Sequence, residues 1–206
     1  QLKLIDLGEI TKTLKPEDND GSLESREIAH DALLVATHSS VTGVKNLATK
    51  DLKAIYSGTI ANWKQLGGTD AKIVLLDRPE DESAKRLLRK HYLGADLKNS
   101  PEAVVFRKEG ELIDAIQGTP YSIGTFSLAN AISHKLPVNR LSLNGVEPTR
   151  ENVKAGKYPM IRTISIVWHK SPTEATQGLI QYISSPPAIN AMEQSGFISI
   201  APSAKD

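Results

Sequence analysis

The chain has 206 residues, with 25 Lys plus Arg against 24 Asp plus Glu, and no cysteine. A formal net charge of +1 excludes a strongly basic nucleic-acid binder. The absence of Cys excludes thiol nucleophiles, CxxC redox pairs and zinc–thiolate sites, and the length allows one large domain or two small ones without structural staples.

Gln1 is not an initiator methionine, and no basic region followed by an apolar stretch comes after it. The start is therefore expected at a processing site or an artificial boundary, and both stay open. Leu2–Leu7 reads as a first strand, and the polar stretch Lys15–Glu27 as a loop. Ala32–Thr37 is a continuous apolar run of strand length, far too short to span a membrane. A helix is expected from near Thr49, because Leu52, Ile55 and Tyr56 share one face. Gly67-Gly68 marks a turn and Lys72–Asp77 a strand. Leu88 and Tyr92 place a helix over Glu82–Leu93. A strand over Ala103–Arg107 precedes a helix after Gly110, with Leu112, Ile113 and Ile116 on its inner face. Strands follow over Tyr121–Phe126 and Ile161–His169.

Ser171-Pro172-Thr173-Glu174 has the pattern of a capping box, with Ser171 as the cap. It introduces Leu179, Ile180, Tyr182 and Ile183 at core spacing. Ser185-Pro186-Pro187 breaks that helix and starts another, which Gly196 is expected to end before a strand over Phe197–Ile200. Alternating strands and helices predict an α/β fold.

Little in the chain argues for catalysis. The histidines at 30, 38, 91, 134 and 169 lack metal-ligand spacing, and there is no Walker A loop and no G-x-S-x-G elbow. His38 and His169 end two strands and form a weak candidate for a pH-sensitive pair, against which solvated loop histidines are the better reading. Glu80-Asp81-Glu82 reads as a charged surface stretch, and Trp63 and Trp168 as core or interface residues. No enzyme, cofactor or metal site is expected.

Several phrases together carry a family resemblance. They are the run Ala48 to Gly58, which ends Ile55-Tyr56-Ser57-Gly58, then Asn62-Trp63 followed by Gly67-Gly68. Asn144-Gly145-Val146-Glu147-Pro148, Gly156-Lys157-Tyr158-Pro159 and Tyr182-Ile183-Ser184-Ser185-Pro186 follow in order. The whole resembles the phosphate-binding-protein-like family of periplasmic solute receptors for ABC transporters. That resemblance implies a type II periplasmic binding protein, with two α/β lobes joined by two hinge strands near 32–37 and 164–169. Residues 1–34 and 167–206 would belong to the first lobe and 38–163 to the second. The first lobe is expected to be incomplete, since a strand–helix stretch usual in the family is missing before Asp6, and unpaired edges would invite self-association.

In this family a Gly-Ser-Gly-Thr turn after a strand supplies ligand donors. Here Arg78 follows the expected strand, but Asp81-Glu82-Ser83-Ala84 stands in place of the turn. Arg78 and Ser83 remain as donors, while Asp81 and Glu82 modify the site by taking an anion's place at the helix start. Repulsion of a second anion would cost about 1–4 kcal/mol, partly offset by Lys85, Arg86 and Arg89. A plain exposed cap is the competing account of the two acids. By the same resemblance Thr11 and Lys12 are ligand-binding residues, and Thr125 occupies a cleft-facing strand where the family has an aromatic. The implied function is an extracytoplasmic or periplasmic receptor for a small anionic solute, phosphate or another oxyanion, which delivers it to a membrane ABC permease. The alternative is a sensory or protein-interaction domain that has lost ordinary phosphate binding.

Overall fold

A computed structural model describes residues 5–11, 14, 17 and 19–200. The chain forms two compact units, Gln1–Asp31 with Arg162–Asp206, and Ala32–Ile161. Both chain crossings between units fall inside strands, one in β2 (Leu23–His38) and one in β8 (Ile161–His169). Among the described residues, no helix is long and apolar enough to cross a membrane.

The second unit is built around the apolar half of β2. Leu33–Thr37 pairs antiparallel with β6 (Ser122–Ser127), and Val35–His38 pairs antiparallel with β7 (Val138–Leu143). β4 (Val74–Asp77) lies parallel to β6 and carries β5 (Val104–Val105) on its outer edge, while β3 (Asn46–Leu47) is parallel to β7. The order is thus β5-β4-β6-β2-β7-β3. Covered on both faces, Ala32–Ala36 is wholly buried, which explains its unbroken apolar run. The two-residue strand β3 and the six-residue β7 are not evident as sequence patterns, because each mixes polar and apolar residues.

Helices cover this sheet. α1 (Thr49–Ser57) buries Leu52, Ile55 and Tyr56, and Gly58 ends it at φ 81°. That left-handed value suits glycine. α2 (Ser83–Leu88) runs into a wider turn over Arg89–Leu93, and α3 (Glu109–Gly118) buries Leu112, Ile113 and Ile116. α4 (Leu128–Ser133) and α5 (Arg150–Lys154) are short helices that the sequence pattern does not announce. Trp63 is fully buried, and its indole N–H donates to the Tyr121 carbonyl at 2.8 Å.

The first unit pairs β1 (Leu7–Ile10) antiparallel with β8, while β9 (Ile198–Ser199) pairs with Ala29 and His30 of β2. Its core is Ile166, Trp168 and Ile180, packed with Leu7, Ile28 and Ile183. Asp31 is fully buried and takes both the Nε (2.9 Å) and Nη2 (2.8 Å) of Arg162.

Three sequence expectations change here. The strand expected over Leu2–Leu7 begins at Leu7, and residues 1–4 lie outside the description. Leu23–Glu27 is not loop but the start of β2, half-exposed and therefore polar in sequence. The helix α6 (Glu174–Ile183) is capped by Thr173, whose hydroxyl accepts the Thr176 N–H at 3.2 Å, so Ser171 and Glu174 form no capping box. Of its apolar residues only Ile180 and Ile183 turn inward, while Leu179 and Tyr182 are exposed. Ser185 and Pro186-Pro187 do open the next helix, α7 (Pro186–Gln194), and Gly196 follows its end at φ 92°.

Candidate functional site

The site grows from the end of β4. With β6 on one side and β5 on the other, this strand fixes where Asp77 and Arg78 emerge. The Asp77 carboxylate is 2% exposed and is held at both oxygens. Oδ1 accepts the Arg78 backbone N–H at 2.8 Å, and Oδ2 accepts the Lys85 ammonium at 2.5 Å. Lys85 itself is completely buried, with Nζ also donating to Asn99 Oδ1 at 3.2 Å and lying 4.8 Å from the centre of the Tyr56 ring. The Tyr56 hydroxyl lies 3.4 Å from Thr125 Oγ1, and burial beside the Asp77 charge holds that phenol in its neutral form.

Arg78 is the cation that directly follows Asp77 at the strand end. Its side chain is 8% exposed; Nη2 meets Glu82 Oε2 at 3.0 Å and Nη1 donates to the Phe106 carbonyl at 3.1 Å. Its Nε is buried and has no hydrogen-bond partner among the described residues. Buried donors are nearly always satisfied, so an orphan one points to an absent acceptor.

The neighbouring loop is clamped by a second pair. Arg89 grips Glu80 with Nε at 3.1 Å and Nη2 at 2.7 Å, and Asn99 adds a bond to Glu80 at 2.9 Å. This bidentate Arg89 contact holds the Glu80 carboxyl below the usual carboxylate range, despite partial desolvation acting the other way. Three cations therefore meet three carboxylates: Arg78 with Glu82, Lys85 with Asp77, and Arg89 with Glu80.

This arrangement can receive an anion through a guanidinium. It contains no nucleophile paired with a base. Comparison with known proteins supplies the family. The pattern described as the PBP superfamily domain matches residues 6–187. The chain belongs to the PBP superfamily. A protein named phosphate-binding protein PstS from Borreliella burgdorferi is 29% identical over 198 residues, covering 92% of this chain and 71% of the relative. The protein of the same name from Bacillus subtilis is 31% identical over 147 residues, covering 70% of this chain and 48% of the relative. A solved structure from Clostridium perfringens, described as a phosphate ABC transporter substrate-binding protein with bound phosphate, superposes with a TM-score of 0.81 at 27% identity. That match covers 95% of this chain and 79% of the other. The fold is accordingly the type II arrangement of this superfamily.

The residues expected to bind ligand divide as follows in this PBP-superfamily chain. Arg78 and Ser83 both belong to the β4–α2 junction, with Ser83 the first residue of α2 and half-buried. Thr125 is 2% exposed in β6 and engages Tyr56. Thr11 is exposed just after β1 in the first unit, and Lys12 lies outside the described residues. The two acids do not cap α2 through their side chains. Glu82, the cap residue, makes no capping hydrogen bond and turns to Arg78, while Asp81 pairs with Arg107 at 3.1 Å. That Arg107 bond holds the Asp81 carboxyl below its usual range. Lys85 does not offset a surface repulsion, since it is consumed by Asp77. Asp77, Glu80 and Asn99 are the site residues that sequence reasoning misses. The available signal was a carboxylate directly before Arg78, at the end of a buried strand.

Proposed function

We propose that the chain is an extracytoplasmic solute-binding protein that takes phosphate, or an oxyanion close to it, at Arg78 and passes it to a membrane ABC permease. One observation carries the reading. A guanidinium stands at the carboxyl end of an open-sheet strand, where α/β proteins bind ligands, with its buried Nε unmatched by any protein acceptor among the described residues. The relatives named as phosphate-binding proteins support the same ligand class, and they favour transport over the sensory alternative. Binding without chemical change fits a site that holds cations and their counter-charges but no activated nucleophile. Ser83 is assigned as a hydroxyl donor beside Arg78, and Thr11 and Lys12 as donors from the first unit. Thr125 acts through Tyr56. The strands β2 and β8, which carry both crossings between units, serve as the hinge strands.

Isothermal titration with phosphate and with sulfate tests this. Phosphate is expected to release or take up heat with a single site. Arg78→Met is expected to weaken binding by at least about thirtyfold, since removing one partner of a buried charge contact costs about 2–5 kcal/mol. Unchanged phosphate affinity in Arg78→Met would refute the placement of the ligand.

A further inference from the structure

We propose that Glu82 is a built-in counter-anion for Arg78, and that an oxyanion enters by displacing the Glu82 carboxylate from the guanidinium. The inference rests on the reading above, that Arg78 is the cation for the ligand, and adds a regulator to the same site.

The number of bonds each one makes separates Glu82 from the other two carboxylates of the cluster. Asp77 is sealed in: 2% exposed, bonded at one oxygen to the Arg78 backbone and at the other to a fully buried Lys85. Glu80 is tied by two bonds from Arg89 and one from Asn99. Glu82 is 31% exposed, reaches Arg78 through one oxygen at 3.0 Å, and makes no bond to the backbone of α2. It is the one carboxylate of the three that can rotate into solvent without breaking a second bond in the cluster. Arg78, in contrast, cannot follow it. Its side chain is 92% buried by the same measure (8% exposed), and Nη1 is anchored on the Phe106 carbonyl.

The charge count gives the consequence. With Arg78–Glu82, Lys85–Asp77 and Arg89–Glu80 all formed, the cluster is neutral. An incoming oxyanion finds a full positive charge only when Glu82 leaves, and the vacated Nη2 and the orphan Nε then lie on adjacent nitrogens of one planar fork. That fork suits two oxygens of a tetrahedral anion. In the resting protein Glu82 supplies one of those two contacts and leaves the other unmade. Glu82 therefore lowers the apparent affinity for any oxyanion and keeps the guanidinium from standing uncompensated when the ligand is absent.

Phosphate titrations of the wild-type chain, Glu82→Gln, Glu82→Asp, Arg78→Met and the Glu82→Gln/Arg78→Met double variant test the proposal. Glu82→Gln keeps the shape and removes the charge, and is expected to tighten phosphate binding by about tenfold or more, a change of about 1.4 kcal/mol. Glu82→Asp keeps the charge and should stay within about threefold of wild type. Adding Arg78→Met should abolish the gain. Glu102→Gln removes an exposed carboxylate paired with Lys72 and controls for a general change in charge. It should leave the affinity within about twofold. A second measurement needs no variant: the Glu82 side-chain carboxyl carbon, followed by NMR in the wild-type chain, should shift on saturation with phosphate. If Arg78→Met weakens binding while Glu82→Gln does not tighten it, or if the Glu82 resonance stays still at saturation, the displacement is wrong and the Arg78 site stands. If neither the wild-type chain nor Glu82→Gln binds phosphate, both the displacement and the site fall.

Discussion

Lys85 shows how one residue can decide whether a site survives. Its ammonium is fully buried, and its charge is balanced by an Asp77 carboxylate that also fixes the Arg78 backbone. Removing the cation leaves a carboxylate stranded in low dielectric, so Lys85→Met is expected to cost about 3–5 kcal/mol in urea unfolding. A loss below about 1 kcal/mol would mean that Asp77 finds water or a proton instead. Replacing both partners with apolar residues should recover much of that loss, because two buried charges disappear together. Such recovery would come without the Asp77 bond to Arg78, so phosphate affinity would not return with stability. Arg78 itself was legible in the sequence, as an arginine directly after a buried strand pattern. The burial of Lys85 was not, since the sequence grouped it with Arg86 and Arg89 as cations offsetting anion repulsion at the helix start. What buries it is a pairing across eight residues, from the strand end into α2, which neither strand nor helix periodicity encodes.

Elements set these residues in place, and the β4–α2 junction is held by Glu80 rather than by a helix cap. The clamp from Arg89 and Asn99 spans Glu80 to Asn99 and ties the junction to the segment after the wider turn. The Glu80 carboxyl is held below the ordinary glutamate value chiefly by the Arg89 hydrogen bonds. A group whose folded pKa is depressed adds stability above its unfolded pKa and loses it as the pH falls through the folded value. Wild type should therefore melt above Glu80→Gln near neutral pH, with the gap closing as the pH drops below about 4.3. Glu80 is 56% exposed, so the gap should correspond to less than about 1 kcal/mol. Scanning calorimetry of both proteins at several pH values measures it, and a gap that does not change with pH would refute the clamp. The strand legible in advance, Ala32–Thr37, is apolar through Ala36 because β6 and β7 flank its edges and both of its faces are buried. The first part of the same strand, Leu23–Glu27, was illegible because exposure lets polar residues stand there. At α6 the cap was misplaced by two residues, since Ser171 and Thr173 both carry a hydroxyl and only the fold selects between them.

At the scale of the whole molecule, the two units differ in how much core they own. Trp63, Tyr56, Tyr158, Phe126, Leu33, Leu34, Leu47 and Leu52 are all under 2% exposed, and all belong to the second unit. The first unit packs Ile166, Trp168 and Ile180 with three partly buried partners, and leaves Leu179 and Tyr182 exposed. Buried apolar area is the main favourable term in folding, at roughly 25 cal/mol per Å², so the first unit should open first. Each unit carries one of the two tryptophans of the chain, Trp168 in the first and Trp63 in the second. Labelling with 5-fluorotryptophan therefore gives two fluorine resonances, one reporting each unit. In a urea titration the native Trp168 signal should disappear at a lower concentration than that of Trp63. Opening of local units below the global transition is the ordinary behaviour of regions with few buried apolar contacts. Coincident midpoints for both resonances would mean that the units unfold as one cooperative block, and that the small core around Trp168 draws its stability from beyond its own unit.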